Sequence, residues 1–80
     1  MSEIETRLCN VFRAVFIELE EAPDSKVRGV TKWNISGWDS GAHLMLLTCI
    51  EEEFGIALSN EAALEMNSFV NAMFTLTPAE

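Results

Sequence analysis

The segment from residue 39 to residue 55 constrains the fold of this chain most strongly, because it carries the signals for both ends of one helix. Asp39 is a favourable N-cap, since its carboxylate can accept a hydrogen bond from a backbone N–H one turn into the helix. Gly55 suits the left-handed conformation of a C-cap, which glycine adopts without steric cost. The sequence therefore predicts a helix from Ser40 to about Phe54.

Hydrophobic spacing gives this helix a buried side and a solvent-facing side. Apolar residues three and four apart are expected to face the core: Leu44, Leu47, Ile50 and Phe54, with Leu46 beside them. The opposite side is expected to carry Met45, Thr48, Glu51 and Glu52. Residues 51–53 are all acids in the last turn, where the negative end of the helix dipole disfavours each by about a few tenths of a kcal/mol. Such a run is either solvated surface or a contact for a partner.

The chain before this helix predicts another amphipathic helix and a long loop. The first helix has Ser2 as its N-cap and fades at residues 20–22, before Pro23. Its inward-facing residues are expected to be Ile4, Leu8, Val11, Phe12, Val15, Phe16 and Leu19. Residues 21–38 hold no sustained period and read as loop. Five apolar residues should pin this loop to the helices: Val27, Val30, Trp33, Ile35 and Trp38.

Two shorter helices are predicted after Gly55. One runs from Glu61 to Glu65, with Ser59-Asn60 as its cap. The last is capped by Asn67-Ser68 and stopped by Pro78. Its inward-facing residues are expected to be Phe69, Val70, Met73 and Phe74. With no strand pattern of period two, the chain is expected to be all-α, with three longer helices, one short helix and a long first loop.

Length and composition limit the protein class. Eighty residues make one small domain, residues 1–80. No apolar run exceeds four residues, far short of the roughly 18 of a membrane span, and no secretory signal pattern is present. The chain is therefore expected to be cytoplasmic. Cys9 and Cys49 are expected to be small buried or half-buried thiols, and no close pairing of ligands supports a metal site.

The charge of the chain is acidic and unevenly distributed. The formal net charge is −8. Residues 1–38 hold six acids and all five bases, whereas residues 39–80 hold seven acids and no Lys or Arg. Such a surface repels nucleic acid and anionic membranes, and it favours association with basic protein partners.

Ser40 is the candidate functional residue. It lies in the first turn of the central helix, where free backbone N–H groups and the helix dipole favour negative charge, so its hydroxyl is well placed to carry a phosphodiester. Asp39-Ser40, the apolar helix after it and the run Ile50-Glu51-Glu52-Glu53-Phe54-Gly55-Ile56 resemble the acyl carrier protein family. The resemblance is closest over residues 38–56 and is looser from there to residue 76. Residues 1–37 resemble the family only in length and hydrophobic pattern.

The resemblance implies a fold and a site. The fold would be a four-helix bundle of the acyl-carrier type, and Ser40 would bear 4'-phosphopantetheine, attached by a phosphopantetheinyl transferase from coenzyme A. Asp39 would help to position the serine. The arm would carry an acyl or aminoacyl group as a thioester between loading and transferring enzymes with basic docking patches. Contacts to those partners are expected from Gly41, Ala42, Met45, Glu51 and Glu52, and the carrier is expected to be a monomer with no catalytic groups of its own.

Three residues depart from the family pattern. Gly41 stands where the family usually has Leu or another apolar residue, an anchor for the transferase. Ala42 and Met45 stand where discrete fatty-acid carriers usually have acids. These departures favour a specialised carrier that serves one pathway over a carrier for bulk fatty-acid synthesis.

Two other functions are compatible with these residues. The first is an acidic helical interaction domain of the same fold whose Ser40 is never modified. The second is a small hydrolase, because His43 lies three residues after Ser40 and could share its face. A hydrolytic Ser–His pair also needs an orienting acid and an oxyanion site, and the sequence indicates neither.

Overall fold

The regular structure of this protein is helical. The computed structural model describes residues 3–76, in which the five α-helices are α1 (Glu3–Val15), α2 (Asp24–Arg28), α3 (Ser40–Phe54), α4 (Asn60–Glu65) and α5 (Phe69–Leu76). A short 3₁₀ turn (Ile17–Leu19) follows α1. Residues 3–76 contain no β-strand, only an isolated bridge between Thr31 and Ser68, so the all-α prediction is confirmed. The predicted cap Ser2 and the predicted stop Pro78 lie outside the described residues.

The first helix is shorter than predicted. It ends at Val15, and Phe16 takes an extended conformation (φ −107°, ψ 108°) before the 3₁₀ turn. The β-branched residues Val15 and Ile17 flank Phe16, and the lower helix propensity of β-branched and aromatic residues favours a break here. The predicted core residues are nevertheless buried at Leu8, Val11, Phe12, Phe16 and Leu19, whereas Ile4 and Val15 are half-buried.

The segment between α1 and α3 contains a helix that the prediction of an irregular loop missed. Arginines from both helices attach α2 to α1. Arg13 donates to the carbonyl oxygen of Ala22 from Nε (3.2 Å) and Nη2 (3.0 Å), and it pairs with the Asp24 carboxylate. At the other end of α2, Arg28 Nη1 lies 3.4 Å from Glu5 Oε1.

Apolar residues also hold this segment in place, as predicted, with one exception. Four of them are buried: Val27, Val30, Ile35 and Trp38. Trp33 is 73% exposed, so its assignment as an anchor was wrong. It sits in a turn stabilised by its backbone N–H donating to Thr31 Oγ1 (3.2 Å), and Lys32 Nζ lies 5.7 Å from the centre of its ring. The turn satisfies the backbone without burying the indole.

The bounds of α3 agree with the prediction, but part of its buried side does not. Leu46 and Ile50 are fully buried, and Leu47 and Phe54 are half-buried. Leu44, predicted to be in the core, is 65% exposed. Six apolar side chains within residues 44–50 allow more than one choice of buried face, and packing against α1 selects the one centred on Leu46 and Ile50.

The two C-terminal helices begin where predicted. Ser59 Oγ accepts from Ala62 N (3.1 Å) and caps α4, while Ser68 Oγ accepts from Asn71 N (3.1 Å) at the start of α5. On α5, Phe69 and Ala72 are buried and Met73 is half-buried. Val70 and Phe74, which were predicted to face inward, are 52% and 75% exposed. The core positions on α5 are thus taken by Phe69 and the small residue Ala72.

An aromatic cluster fills the centre of the core. Phe12, on α1, is fully buried, and its ring centre lies 5.8 Å from Phe16, 5.8 Å from Trp38 and 5.1 Å from Phe69. The contacts with Trp38 and Phe69 are edge-to-face, which aromatic rings favour. Trp38 immediately precedes the N-cap of α3, so the cluster fixes where that helix begins.

Candidate functional site at the start of α3

The N-terminus of α3 is formed by a capping hydrogen bond. Asp39 has extended backbone dihedrals, and its Oδ1 accepts from Ala42 N at 2.8 Å, as predicted. The carbonyl oxygen of Asp39 accepts the first helical hydrogen bond, from His43 N at 2.8 Å. Ser40 is therefore held as the first residue of a helix, where backbone N–H groups have no partner within the helix.

The side chain of Ser40 has no partner among residues 3–76. The residue is exposed, and its side chain makes no hydrogen bond to any other residue between 3 and 76. Its neighbour Gly41 is also exposed. A Cβ built on Gly41 would meet only Asp39 Oδ1, at 3.6 Å, and the backbone there is not left-handed. The fold therefore does not require glycine at this position, and the surroundings of Ser40 leave room for a covalently attached chain.

The solvent-exposed side of α3 combines Ser40 with large apolar side chains. Leu44 and Met45 are 65% and 56% exposed, and they lie one turn after Ser40 and Gly41. We define the exposed face of α3 as Ser40, Gly41, Leu44, Met45, Thr48 and Glu52. Ala42, one of the predicted contact residues, is half-buried beside this face.

Leu44 is the site residue that the sequence reasoning missed. Its spacing of four from Ser40 puts both residues on one side of a helix, and this signal was available. The hydrophobic spacing of α3 instead placed Leu44 in the predicted core.

The acidic run at the end of α3 divides into three different roles. Glu51 is half-buried, and its Oε2 accepts from Leu58 N at 2.7 Å, so this carboxylate organises the chain after the helix. Glu53 Oε2 accepts from Arg7 Nε at 2.8 Å, and the same guanidinium donates to the Glu53 carbonyl oxygen. Glu52 is exposed and has no ion pair or hydrogen bond within residues 3–76. Of the predicted contacts Glu51 and Glu52, only Glu52 has a carboxylate without an internal partner.

His43 is occupied by contacts within the fold. Trp38 Nε1 donates to His43 Nδ1 at 3.1 Å, and His43 Nε2 lies 2.9 Å from the carbonyl oxygen of Ala63. The Trp38 and His43 rings stack with centres 6.2 Å apart. Both ring nitrogens are thereby bonded to groups other than Ser40, so the ring is not arranged to accept the proton of that hydroxyl.

The two cysteines lie away from this site and are both free thiols. Cys9 is buried and Cys49 half-buried, in agreement with the prediction. Burial raises the pKa of the Cys9 thiol, and the nearby Asp24 carboxylate acts in the same direction. Among residues 3–76, no group of three or more His, Cys, Asp or Glu side chains is placed to hold a metal ion. No helix within that range is long and apolar enough to cross a bilayer.

Comparison of this chain with models of protein families, with curated proteins and with solved structures gives no match.

Proposed function

We propose that this protein is an acyl carrier whose Ser40 bears 4'-phosphopantetheine. The observation that carries the proposal is the exposed Ser40 hydroxyl, which has no side-chain partner among residues 3–76 and begins the longest described helix, on the face that also presents Leu44 and Met45. A serine that acts only as an N-cap would bond to a backbone N–H, and here Asp39 performs that role.

The local chemistry of Ser40 is compatible with the modification. With its proton removed by the transferase, Ser40 Oγ would attack the pantetheine phosphate of coenzyme A. A P–O bond to the serine would form, and the pyrophosphate linkage would break to release adenosine 3',5'-bisphosphate. The phosphodiester carries one negative charge, which the N-terminal dipole of α3 and its free N–H groups stabilise. When bound, the group supplies a thiol at the end of a long arm, which holds an acyl or aminoacyl cargo as a thioester.

The arrangement of the helices supports a four-helix bundle of the acyl-carrier type. The three longer helices α1, α3 and α5, the short α4 and the long connection before α3 follow the expected order. α2 is then a short helix within that connection.

The exposed face of α3 suits partner enzymes that are basic. Leu44 and Met45 offer apolar contact area beside Ser40, and Glu52 offers a negative charge about two turns beyond Met45. A transferase and loading enzymes with Arg and Lys around an apolar depression would match this face, and their association would weaken as salt is added. With Gly41, Ala42 and Met45 departing from the family pattern, we propose a specialised carrier that works as a monomer in the cytoplasm.

Incubation with coenzyme A and a broad-specificity phosphopantetheinyl transferase tests the proposal. Intact-mass analysis is expected to show one added phosphopantetheine unit, and Ser40→Ala is expected to abolish it. The chain offers a matched control, because Ser25 also follows an aspartate near the start of a helix and is exposed. Ser25→Ala should accept the group as the parent chain does.

A mass that does not change would favour the rival function, an unmodified acidic interaction domain. Modification of the Ser40→Ala variant would contradict Ser40 as the attachment residue. The Ser40→Ala change should not disturb the fold, since the hydroxyl bonds to none of the residues 3–76. Circular dichroism of both variants checks that point.

A further inference from the structure

The ring of His43 connects three parts of the fold. It belongs to α3, it accepts from the indole of Trp38 in the preceding segment, and it reaches the backbone of Ala63 on α4. Trp38 is packed into the aromatic cluster. No residue of α4 is fully buried, so that helix depends on contacts of this kind for its position.

The two hydrogen bonds determine which nitrogen of the ring carries the proton. An indole N–H can only donate, and a carbonyl oxygen can only accept. Nδ1, which faces the Trp38 N–H, must therefore present a lone pair, and Nε2, which faces the Ala63 oxygen, must carry the hydrogen. The neutral ring satisfies both partners in this one tautomer.

Protonation of the ring removes one of the two bonds. The imidazolium carries a hydrogen on both nitrogens, so Nδ1 can no longer accept from Trp38. The Ala63 contact survives, because Nε2 still donates. Trp38 is only 8% exposed, so its N–H loses its acceptor in a place with little access to water. Histidine is the side chain whose charge ordinarily changes near neutral pH.

No other ionisable group takes over the ring nitrogens. The ionisable residues on α3, on its N-cap and on α4 are Asp39, whose carboxylate caps α3, Cys49 and the acids at 51–53 in the second half of α3, and Glu61 and Glu65, which are exposed on α4. None of them forms an ion pair with His43 within residues 3–76. We propose that His43 is a positioning residue that, as the neutral Nε2–H tautomer, fastens Trp38 and α4 to the first turn of α3, and that its protonation releases Trp38.

A pH titration followed by NMR tests the proposal on the unmodified chain of residues 1–80. At pH 8 the ¹⁵N shifts of His43 are expected to identify the Nε2–H tautomer, and the Trp38 indole N–H should exchange slowly with water. As the pH is lowered, the Trp38 indole resonance should shift together with the resonances of the His43 ring. The indole of Trp33, exposed and without a histidine partner, is the internal control and should not follow the His43 ring.

Two variants distinguish the effect of the hydrogen bonds of His43 from the effect of its side-chain volume. His43→Gln can offer an amide oxygen to Trp38 and an N–H to Ala63, so slow exchange of the Trp38 N–H should be largely kept and its pH dependence lost. His43→Leu fills a similar volume without an acceptor, and exchange should be faster by roughly 2- to 10-fold at every pH. A Trp38 indole resonance that does not follow the His43 ring resonances, or a ring found as the Nδ1–H tautomer, would overturn the proposal even if both variants failed to fold.

This inference does not depend on any group attached to Ser40. The NMR titration needs no transferase and no coenzyme A. A chain that is not modified at Ser40 can still show the expected coupling between His43 and Trp38 by NMR. A chain that is modified can still lack that coupling.

Discussion

At position 41 the chain has a glycine that the backbone does not need, and at position 55 it has one that the backbone does need. Gly41 lies in the first turn of α3 with a φ outside the left-handed region, and a Cβ there would make only an ordinary contact with Asp39 Oδ1. Gly55 has φ 64° and ψ 38°, and its N–H donates to the Glu51 carbonyl oxygen to close the helix. The same residue type therefore has opposite effects on stability at the two ends of one helix.

Alanine at each of these positions should change stability in opposite directions. Gly41→Ala is expected to raise the free energy of unfolding by about 0.5 kcal/mol, because it restricts the unfolded chain without a clash. Gly55→Ala is expected to lower it by about 1 kcal/mol, the cost of a left-handed L-residue. Urea denaturation of both variants measures the difference. A stabilised Gly55→Ala would contradict the assigned C-cap.

Residue-scale chemistry was the part of the structure most accessible from the sequence. Asp39, Ser59, Ser68 and Gly55 act on backbone groups within a few positions of themselves, so their roles follow from local rules. The α2 helix could have been found in the same way. Pro23 and Asp24 precede and begin it, basic residues fill its last turn, and Gly29 follows it.

At the scale of elements, α1 and α3 are joined at the carboxyl end of α3 by Arg7. Its guanidinium binds the Glu53 carboxylate and carbonyl oxygen, and it lies 4.7 Å from the centre of the Phe54 ring. A cation in this position offsets the negative end of the helix dipole. The acids that looked unfavourable in the last turn are thus partly compensated by a residue far away in the sequence.

Removing the guanidinium should weaken the contact between these two helices. Arg7→Met keeps most of the aliphatic stem, and it is expected to lower the free energy of unfolding by about 1 kcal/mol through the lost ion pair and dipole interaction. Since both partners are partly exposed, the loss should shrink as salt is added. Urea denaturation at low and high ionic strength measures both effects.

The neighbouring acids provide the matched control. Glu53→Gln should destabilise in the same direction as Arg7→Met, whereas Glu52→Gln should be neutral or stabilising by about a few tenths of a kcal/mol, because it removes an acid without a partner in the described chain. If Glu53→Gln and Glu52→Gln change the free energy of unfolding equally, the ion pair between Arg7 and Glu53 does not stabilise the fold.

For α3 and α5 the start of the helix was more predictable than its buried face. Caps fix the ends locally, but both helices are apolar on several sides, so periodicity alone does not select the buried face. The choice of Leu46 over Leu44, and of Ala72 over Phe74, depends on packing against other elements, with α1 in contact with both helices and α2 also in contact with α5. The internal partners of His43 and the position of Leu44 beside Ser40 are consequences of that choice.

At the scale of the whole molecule, the aromatic cluster around Phe12 joins α1, the segment before α3, and α5. The radius of gyration is 11.5 Å, close to the roughly 11.6 Å of a folded chain of this length. A domain of this size has a free energy of unfolding of about 4–12 kcal/mol, so a single core residue accounts for a large part of it.

Truncating two phenylalanines should separate core from surface. Phe12→Ala is expected to lower the free energy of unfolding by about 3–4 kcal/mol, because three ring contacts are replaced by a cavity. Phe74→Ala, at a residue that is 75% exposed, should change it by less than about 0.5 kcal/mol. Where Phe12→Ala does not fold, Phe12→Leu provides the same test with a smaller loss. Comparable losses at both positions would contradict the core described above.

The uneven placement of lysine has a practical consequence for studying binding. Lys26 and Lys32 are the only lysines, both are exposed, and both lie between α1 and α3. Apart from the terminal amine, reagents such as succinimidyl esters therefore find no side-chain target on α3, α4 or α5. Immobilisation of the protein on a sensor surface through these two amines leaves the helix that begins at Ser40 chemically unmodified. Binding of soluble partners to that helix can then be measured on the immobilised protein.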